Sequence, residues 1–394
     1  MNDQDQLVII PDPVNDRYAA FGLISWWQQS RVRAATVMVV GAGALGNEVI
    51  KGLTLMGVGR LFIVDLDTIE KGNLSRSILF READSGQPKA LVAARAVRSL
   101  NPDVAVQAFC GDVNYDLGLG VFRQMDVIVG CLDNREARLS LNRACWQIGK
   151  PWVDAGIEAL LGQVRVFWPG RGACYECALT NRDYELINLR RSCSLLAREN
   201  LLQGKVPTTP TAAAIIGGIQ TQQVLKILHG LDAQAGISIV FDGMTNDFYS
   251  TRLPVKEDCL SHGTLEEIIE MPDARAETWT VAEVWAVAEK RLGSDARLGL
   301  GHDLVTGLKC RRCNTSEPLQ LPLYRLTETA AQCPQCHEPR MPEIVSEFTR
   351  GNLIANQPLR ALGVPPLAIL VAYSGDTAVG LELTGDAATF FDFR

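Results

Sequence analysis

Residues 36–46 read TVMVVGAGALG: the run Thr36-Val37-Met38-Val39-Val40, then Gly41-Ala42-Gly43-Ala44-Leu45-Gly46. Five apolar or β-branched residues without alternation predict a strand buried on both faces. Gly41, Gly43 and Gly46 form G-x-G-x-x-G directly after it. Beyond the turn, Val49, Ile50, Leu53 and Leu55 recur at helical spacing, and Leu61-Phe62-Ile63-Val64 predicts a second strand ending in Asp65. Strand, glycine turn, helix, strand is the start of a doubly wound α/β sheet. The glycines permit a tight turn and let a ligand approach the backbone closely, while the helix N-terminus offers free N–H groups to an anion. Taken alone, the turn says "nucleotide-like ligand", with a nicotinamide dinucleotide the commonest reading. A glycine turn used only for packing is the competing one.

Outward from this core the pattern continues. Helices are predicted over residues 89–100, 137–148 and 211–229, the last with no face on the nucleotide. Strands are predicted over 104–108, 126–130, 152–154, 163–168, 237–241 and 248–253. Residues 178–206 are polar and arginine-dotted and read as a connecting segment. Near Gly263 the character changes. This places one domain at 1–263 and a second at 264–394, with further strand candidates at 367–373 and 378–383. No repeat of 20–50 residues is visible.

Composition bounds the function. The 394 residues carry a net charge of −7 with a pI near 5.3. That excludes a general nucleic-acid binder, which needs a basic face. Neither a secretion signal at the first residues, MNDQDQLVIIPDP, nor a run of about 18 apolar residues is seen. A cytoplasmic protein without membrane contact is therefore expected. Of the 11 cysteines, six fall in three C-x-x-C pairs, at 174/177, 310/313 and 333/336. Without a secretion signal, that pattern reads as metal thiolates rather than disulfides. Cys310, Cys313, Cys333 and Cys336 have the spacing of a zinc ribbon (310–336), closed and structural; His337 is adjacent but surplus. Cys110, Cys131 and Cys145 fall on strand or helix positions and are expected in the core.

Asp65 is placed as a ribose-binding carboxylate should be, or is a solvated strand-end acid. After it come Asn73, Arg76 and Lys89, in the stretch DLDTIEKGNLSR (65–76) and in GQPKA (86–90). Hydride transfer has no need of these donors near a phosphate turn. Stabilising a triphosphate and a leaving pyrophosphate does need them. Asp133, in Cys131-Leu132-Asp133-Asn134, follows a strand at the carboxyl edge of the sheet. It suits magnesium, or caps the helix beginning near Arg135.

GAGALG, VDLDTIEKGNLSR, GQPKA and CLDN, in this order and spacing, resemble the activating-enzyme superfamily. Its members include ubiquitin-activating enzymes and the adenylyltransferases of the molybdopterin and thiamin sulfur carriers. The likeness runs from about residue 30 to 263. It implies a Rossmann-like, mostly parallel sheet with a smaller α+β zinc-ribbon domain appended. It implies ATP and Mg2+ as ligands, with the ribose on Asp65, phosphates on the Gly41, Gly43 and Gly46 turn, Asn73, Arg76 and Lys89, and the metal on Asp133. The family's zinc site pairs Cys174 and Cys177 with a second C-x-x-C. That place here reads Cys259-Leu260-Ser261-His262, so a Cys3His Zn2+ site is expected from residues 174, 177, 259 and 262; a metal-free pair of thiols is the alternative. The resemblance also implies a homodimer whose partner arginine completes the ATP site. Its R-Y-x-R-Q motif is here Arg17-Tyr18-Ala19-Ala20-Phe21, which lacks the second arginine. Cys193, in the connector and followed by a helix like that after the family's catalytic cysteine, is the implied thioester nucleophile, or an incidental surface cysteine. The implied activity is adenylation of the C-terminal glycine of a ubiquitin-like protein, thioester formation on Cys193 and transfer to a conjugating enzyme. Sulfur-carrier activation, a nicotinamide oxidoreductase and a non-catalytic scaffold are the rivals.

Overall fold

The computed structural model describes residues 16–185 and 207–393. Five parallel strands form one half of an eight-stranded sheet: β1 (Thr36–Val40), β2 (Arg60–Val64), β3 (Ala105–Phe109), β4 (Val127–Gly130) and β5 (Trp152–Glu158). Three antiparallel strands extend it: β6 (Leu161–Phe167), β7 (Ile237–Asp242) and β8 (Asp247–Arg252). The order is β3-β2-β1-β4-β5-β6-β7-β8. All five residues of β1 are buried because both of its faces are covered, which is why the strand reads as an unbroken apolar run. The strand order reverses direction at β1 and β4, and the crevice between their carboxyl ends is where such sheets take ligands.

On one face lie α1 (Gln29–Ala34), α2 (Ala44–Leu55), α3 (Lys89–Leu100) and α6 (Pro210–His229), over a core that includes Val37, Val39, Leu61 and Ile63. On the other lie α4 (Leu119–Arg123) and α5 (Arg135–Gln147), over Met38, Phe62, Ile128 and Trp152. The bounds of α6 follow from its chemistry. Thr209 caps it by accepting from the Ala212 N–H, Pro210 takes the first turn, and Gly230 ends it at φ +71°. A side chain at Gly217 would meet Glu48 Cβ at 2.7 Å, so glycine lets α6 lie close on α2.

Residues 268–382 contribute a second sheet, ordered β11-β10-β13-β14-β9, with β12 also paired to β10. Its strands are β9 (Ile268–Glu270), β10 (Arg297–Lys309), β11 (Ser316–Pro322), β12 (Met341–Phe348), β13 (Ile369–Ser374) and β14 (Thr377–Glu382). Helix α7 (Val281–Leu292) covers it. Thr280 and Glu283 form a capping box at its start. Short helices α8 (Glu328–Ala331) and α9 (Ala387–Phe390) complete the chain.

One core expectation is corrected. Cys145 is buried, but Cys110 is exposed. It stands one residue beyond the end of β3, the outermost strand. Among the described residues no helix is long and apolar enough to cross a membrane.

Candidate active site and metal centres

Each glycine of the turn has its own reason. Gly41 adopts φ +96°, and a Cβ there would lie 2.3 Å from the Cys131 carbonyl oxygen. A Cβ at Gly46 would lie 1.9 Å from Gly41 O. At Gly43 a Cβ would meet nothing, so its open side is the room left for a ligand. Gly43 is also the N-cap of α2 and supplies no capping side chain. The first N–H groups of α2 therefore face that room without a side-chain partner.

Asn47, not expected from the sequence, holds the turn. Fully buried, it donates from Nδ2 to Ala42 O at 2.7 Å and Gly43 O at 2.9 Å. Its Oδ1 accepts from the Leu79 N–H at 2.8 Å, which ties the 70–80 segment to the glycine turn. A polar residue at an inward helical position was the available signal.

Asp65 accepts from the Ala42 N–H at 2.6 Å and the Asp67 N–H at 2.8 Å. Burial pushes its carboxyl above the ordinary range, against these two donors and the nearby Lys89 charge. Lys89 opens α3 and pairs with Asp67 at 2.7 Å, its side chain 11% exposed. The structure thus gathers the turn, Asp65, Asp67 and Lys89. Asn73 and Arg76 are used within their own turn: Asn73 Oδ1 accepts from the Glu70 N–H at 2.9 Å, and Arg76 Nη1 donates to Gly72 O at 2.8 Å.

Asp133 is exposed between β4 and α5. The cap of α5 is its neighbour Asn134, whose Oδ1 accepts from the Ala137 N–H at 2.8 Å. That leaves the Asp133 carboxylate, which among the described residues accepts a 3.3 Å bond from Asn134, available for other work. Arg138 fixes the loop by donating to Leu132 O at 2.6 Å and Ala155 O at 2.9 Å. The fully buried Asp154 holds Arg138 at 3.0 Å and Arg165 at 3.1 Å. None of these three was anticipated. The signal was an aspartate inside an apolar strand. Burial pushes the Cys131 thiol up, away from the thiolate form.

Cys193 lies outside the described residues. The described residues at the start of the connector and just beyond its end are anchored. Asp183 pairs with Arg135 at 2.8 Å, and the Tyr184 hydroxyl donates to Glu176 Oε1 at 2.8 Å. On the far side, the Ala159 N–H donates to Pro207 O at 2.6 Å, just past the carboxyl end of β5. Arg17 donates to Leu100 O at 2.8 Å, at the end of α3.

Two clusters have the donor set and spacing for zinc, each with ligand atoms within 4.8 Å of one another. In the first, Cys174 Sγ lies 3.7 Å from Cys177 Sγ and 3.5 Å from Cys259 Sγ, and Cys177 Sγ lies 3.3 Å from His262 Nε2. Bonds of about 2.3 Å to sulfur and about 2.0 Å to nitrogen give tetrahedral edges of roughly 3.4–3.8 Å, so the four residues fit one ion. Glu176, between the two cysteines, is buried against Arg143, Ser261 and Tyr184. Burial raises its carboxyl, but these donors outweigh that and hold it below the ordinary range. In the second cluster Cys310 Sγ and Cys336 Sγ are 3.5 Å apart, and the Cys313 N–H donates to Cys310 Sγ at 3.4 Å. His337 is no fifth ligand in this set. It occupies the left-handed position after its knuckle, φ +62°, as Asn314 does after the other at φ +53°.

Comparison with known proteins places this geometry. The family model described as "ThiF family" matches residues 15–261. The "Adenylyltransferase and sulfurtransferase MOCS3" of Mus musculus is 34% identical over 251 residues, 63% of this chain and 52% of that protein. The "Ubiquitin-like modifier-activating enzyme 5" of Dictyostelium discoideum is 32% identical over 215 residues, 50% of this chain and 53% of that protein. The "Sulfur carrier protein adenylyltransferase" of Thermus thermophilus is 34% identical over 226 residues, 56% of this chain and 79% of that protein. The chain thus spans about half the length of the first two relatives. Among solved structures, a crystal structure of E. coli MccB with succinimide superposes with a TM-score of 0.54 at 23% identity, over 63% of this chain and 75% of that one. This likeness speaks for the fold.

Proposed function

This chain belongs to the ThiF family, and on that premise we propose that it is an ATP-dependent adenylyltransferase acting on the C-terminal glycine carboxylate of a ubiquitin-like protein. One observation carries the reading. The uncapped N-terminus of α2, open at Gly43, stands beside a half-buried carboxylate, Asp65, that is itself bonded to the turn. That pairing accommodates phosphates and a ribose together.

In the reaction a carboxylate oxygen of the substrate attacks the α-phosphorus of ATP. The bond to the β-phosphate oxygen breaks, and pyrophosphate leaves. The substrate carboxylate and the polyphosphate repel one another, so the chain must supply positive charge and N–H donors. The α2 N-terminus and Lys89 do so at the turn; Arg76, and Asn73 beside it, swing from their local bonds toward the leaving group. Asp133 would hold Mg2+, which would neutralise phosphate charge. Cys193 then accepts the acyl group as a thioester, releasing AMP, and a conjugating enzyme receives it. The protein works as a homodimer in the cytoplasm, and both zinc ions are structural.

The relatives named as a sulfurtransferase and as a sulfur carrier protein adenylyltransferase support a second reading, in which the acyl-adenylate goes on to a thiocarboxylate. ATP–pyrophosphate exchange with Mg2+, against purified ubiquitin-like proteins ending in glycine, tests the common first step. Exchange that depends on one of them and is lost in Asp133→Ala is the expected result. No ATP binding at all would sink the enzymatic reading. A protein thioester that disappears in Cys193→Ala and passes to a conjugating enzyme separates conjugation from sulfur transfer.

A further inference from the structure

The unit that carries the second sheet, from residue 264 on, meets the first unit at Phe62, at Trp146 and Gln147, and along the segment of residues 107–123. Gln107 donates to Phe390 O at 2.7 Å, the Gly120 N–H donates to Leu367 O at 2.8 Å, and Arg123 pairs with Glu270 at 2.7 Å and with the buried Glu382. Between these anchors the ring of Tyr115 stacks on Tyr324, centroids 4.0 Å apart and planes at 13°.

That segment begins at the nucleotide site. The Asp65 N–H donates to Phe109 O at 3.1 Å, so the end of β3 is bonded to the ribose carboxylate's own backbone. Phosphates belong at the turn after β1 and the ribose at Asp65 after β2. The loop after β3 therefore borders the ribose and base end of the ligand, not the phosphate end. This loop is tied to itself: the Tyr115 and Asp116 N–H groups donate to Asp112 O at 3.2 and 2.8 Å, and the Asp112 N–H returns a bond to Asp116 Oδ2 at 2.9 Å. A displacement of Tyr115 therefore carries the loop with it. Tyr324, for its part, is gripped within the second unit. His302 meets its ring edge-on at 5.6 Å, and its hydroxyl donates to Gly363 O at 3.4 Å. It sits between the two cysteine pairs of the ribbon, in the turn Leu323–Arg325.

We propose that Tyr324 is a positioning residue for nucleotide binding: stacked on Tyr115, it fixes the loop beside Asp65 and makes nucleotide affinity depend on the folded, zinc-loaded ribbon. The proposal rests on the adenylation reading. It gives the appended unit a task at the first step of the reaction.

Calorimetric titration of the zinc-loaded full chain with Mg-ATP and, separately, with AMP tests it. Tyr324→Ala raises the Kd of both by the same factor, about five-fold or more, because the loop faces the end they share. Tyr324→Phe, which keeps the stack, binds like the unaltered chain. Tyr115→Ala, made in the other unit, reproduces the loss, and the double variant Tyr115→Ala/Tyr324→Ala is no weaker than either single one. Unchanged affinity in both alanine variants overturns the proposal, as does additive weakening or a loss confined to ATP. An unaltered chain that binds neither nucleotide removes the adenylation reading and this inference together, whereas a parent that binds and alanine variants that bind just as tightly remove the inference alone.

Discussion

At the scale of single residues, the glycine turn separates folding from binding. A methyl group at Gly46 collides with the Gly41 carbonyl, whereas one at Gly43 touches nothing. Gly46→Ala is therefore expected to cost about 2 kcal/mol or more in stability. Gly43→Ala should stay within about 0.5 kcal/mol of the parent yet lose ATP affinity, since its Cβ fills the space a phosphate needs. Thermal melts beside ATP titrations decide this; Gly43→Ala binding ATP normally would place the phosphates elsewhere. Asp65 makes a second test. Its carboxyl titrates above the ordinary range because it is buried, and only the ionised form is a pure acceptor for ribose hydroxyls. Nucleotide affinity should fall on acidification from a higher pH than a free carboxylate would give, and Asp65→Asn should abolish that dependence. The sign for stability is opposite. A raised folded pKa contributes stability that is full below the unfolded pKa and is lost as pH rises through the folded one. Reading single residues from sequence had a clear limit here. Asp133 and Asn134 are adjacent and both can cap a helix; only the backbone direction assigns the cap to Asn134. The Arg138–Asp154–Arg165 cluster was hidden because its members are 16 and 11 residues apart: Asp154 and Arg165 meet through strand register, and Arg138 reaches Asp154 from α5.

At the scale of elements, the sequence was most legible where a segment decides its own structure. The strand Thr36–Val40 is an apolar run, and helix Lys89–Leu100 starts just after Pro88. Legibility failed where structure depends on the neighbour. Cys110 is exposed because β3 is the outermost strand, a fact of sheet order. The first metal cluster was legible as chemistry, although Cys177 and His262 are 85 positions apart. His262 also stacks on Trp146, centroids 4.9 Å apart, so its ring is held as well as aimed. With four donors present, His262→Cys should keep two zinc ions per chain, while His262→Ala should lower the affinity of one site and leave the ribbon loaded. Metal analysis after mild chelation measures this, and two retained equivalents in the alanine variant would exclude His262 as a ligand. In the ribbon, His337 stands where glycine is at ease. His337→Gly should keep zinc and raise the ribbon's stability by about 0.5–1 kcal/mol. Loss of zinc in that variant would make His337 a ligand after all.

At the scale of the whole molecule, the last residues of the chain complete the core of its first sheet. A doubly wound sheet needs cover on both faces, and over β2 and β3 the short α4 and Leu367 supply part of the second face's cover. Phe390, Phe391 and Phe393 supply the missing layer, their rings 6.0, 6.3 and 6.2 Å from that of Phe62, which is fully buried. Gln107 fastens the segment as a strand would. Its side-chain amide donates to Phe390 O and its oxygen accepts from the Asp392 N–H at 2.8 Å. The two units are therefore joined in both directions: the chain runs from the first into the second and then returns to seal the first. A truncation after Asp386 should uncover Phe62 and Phe109 and cost about 3 kcal/mol of apolar burial, a fall in Tm of roughly 6–12 °C. The polar hold is separable from the apolar one. Gln107→Ala removes both hydrogen bonds but no ring, so it should cost about 1–2 kcal/mol and lower Tm by less than the truncation. Differential scanning calorimetry of the two variants distinguishes the contributions. If the truncated chain melts like the parent, the segment merely rests on the sheet, and the first unit's core is closed without it. If it melts early while Gln107→Ala lies between the two, the nucleotide-binding unit depends on the chain's far end for its own stability, and the two units fold as one body.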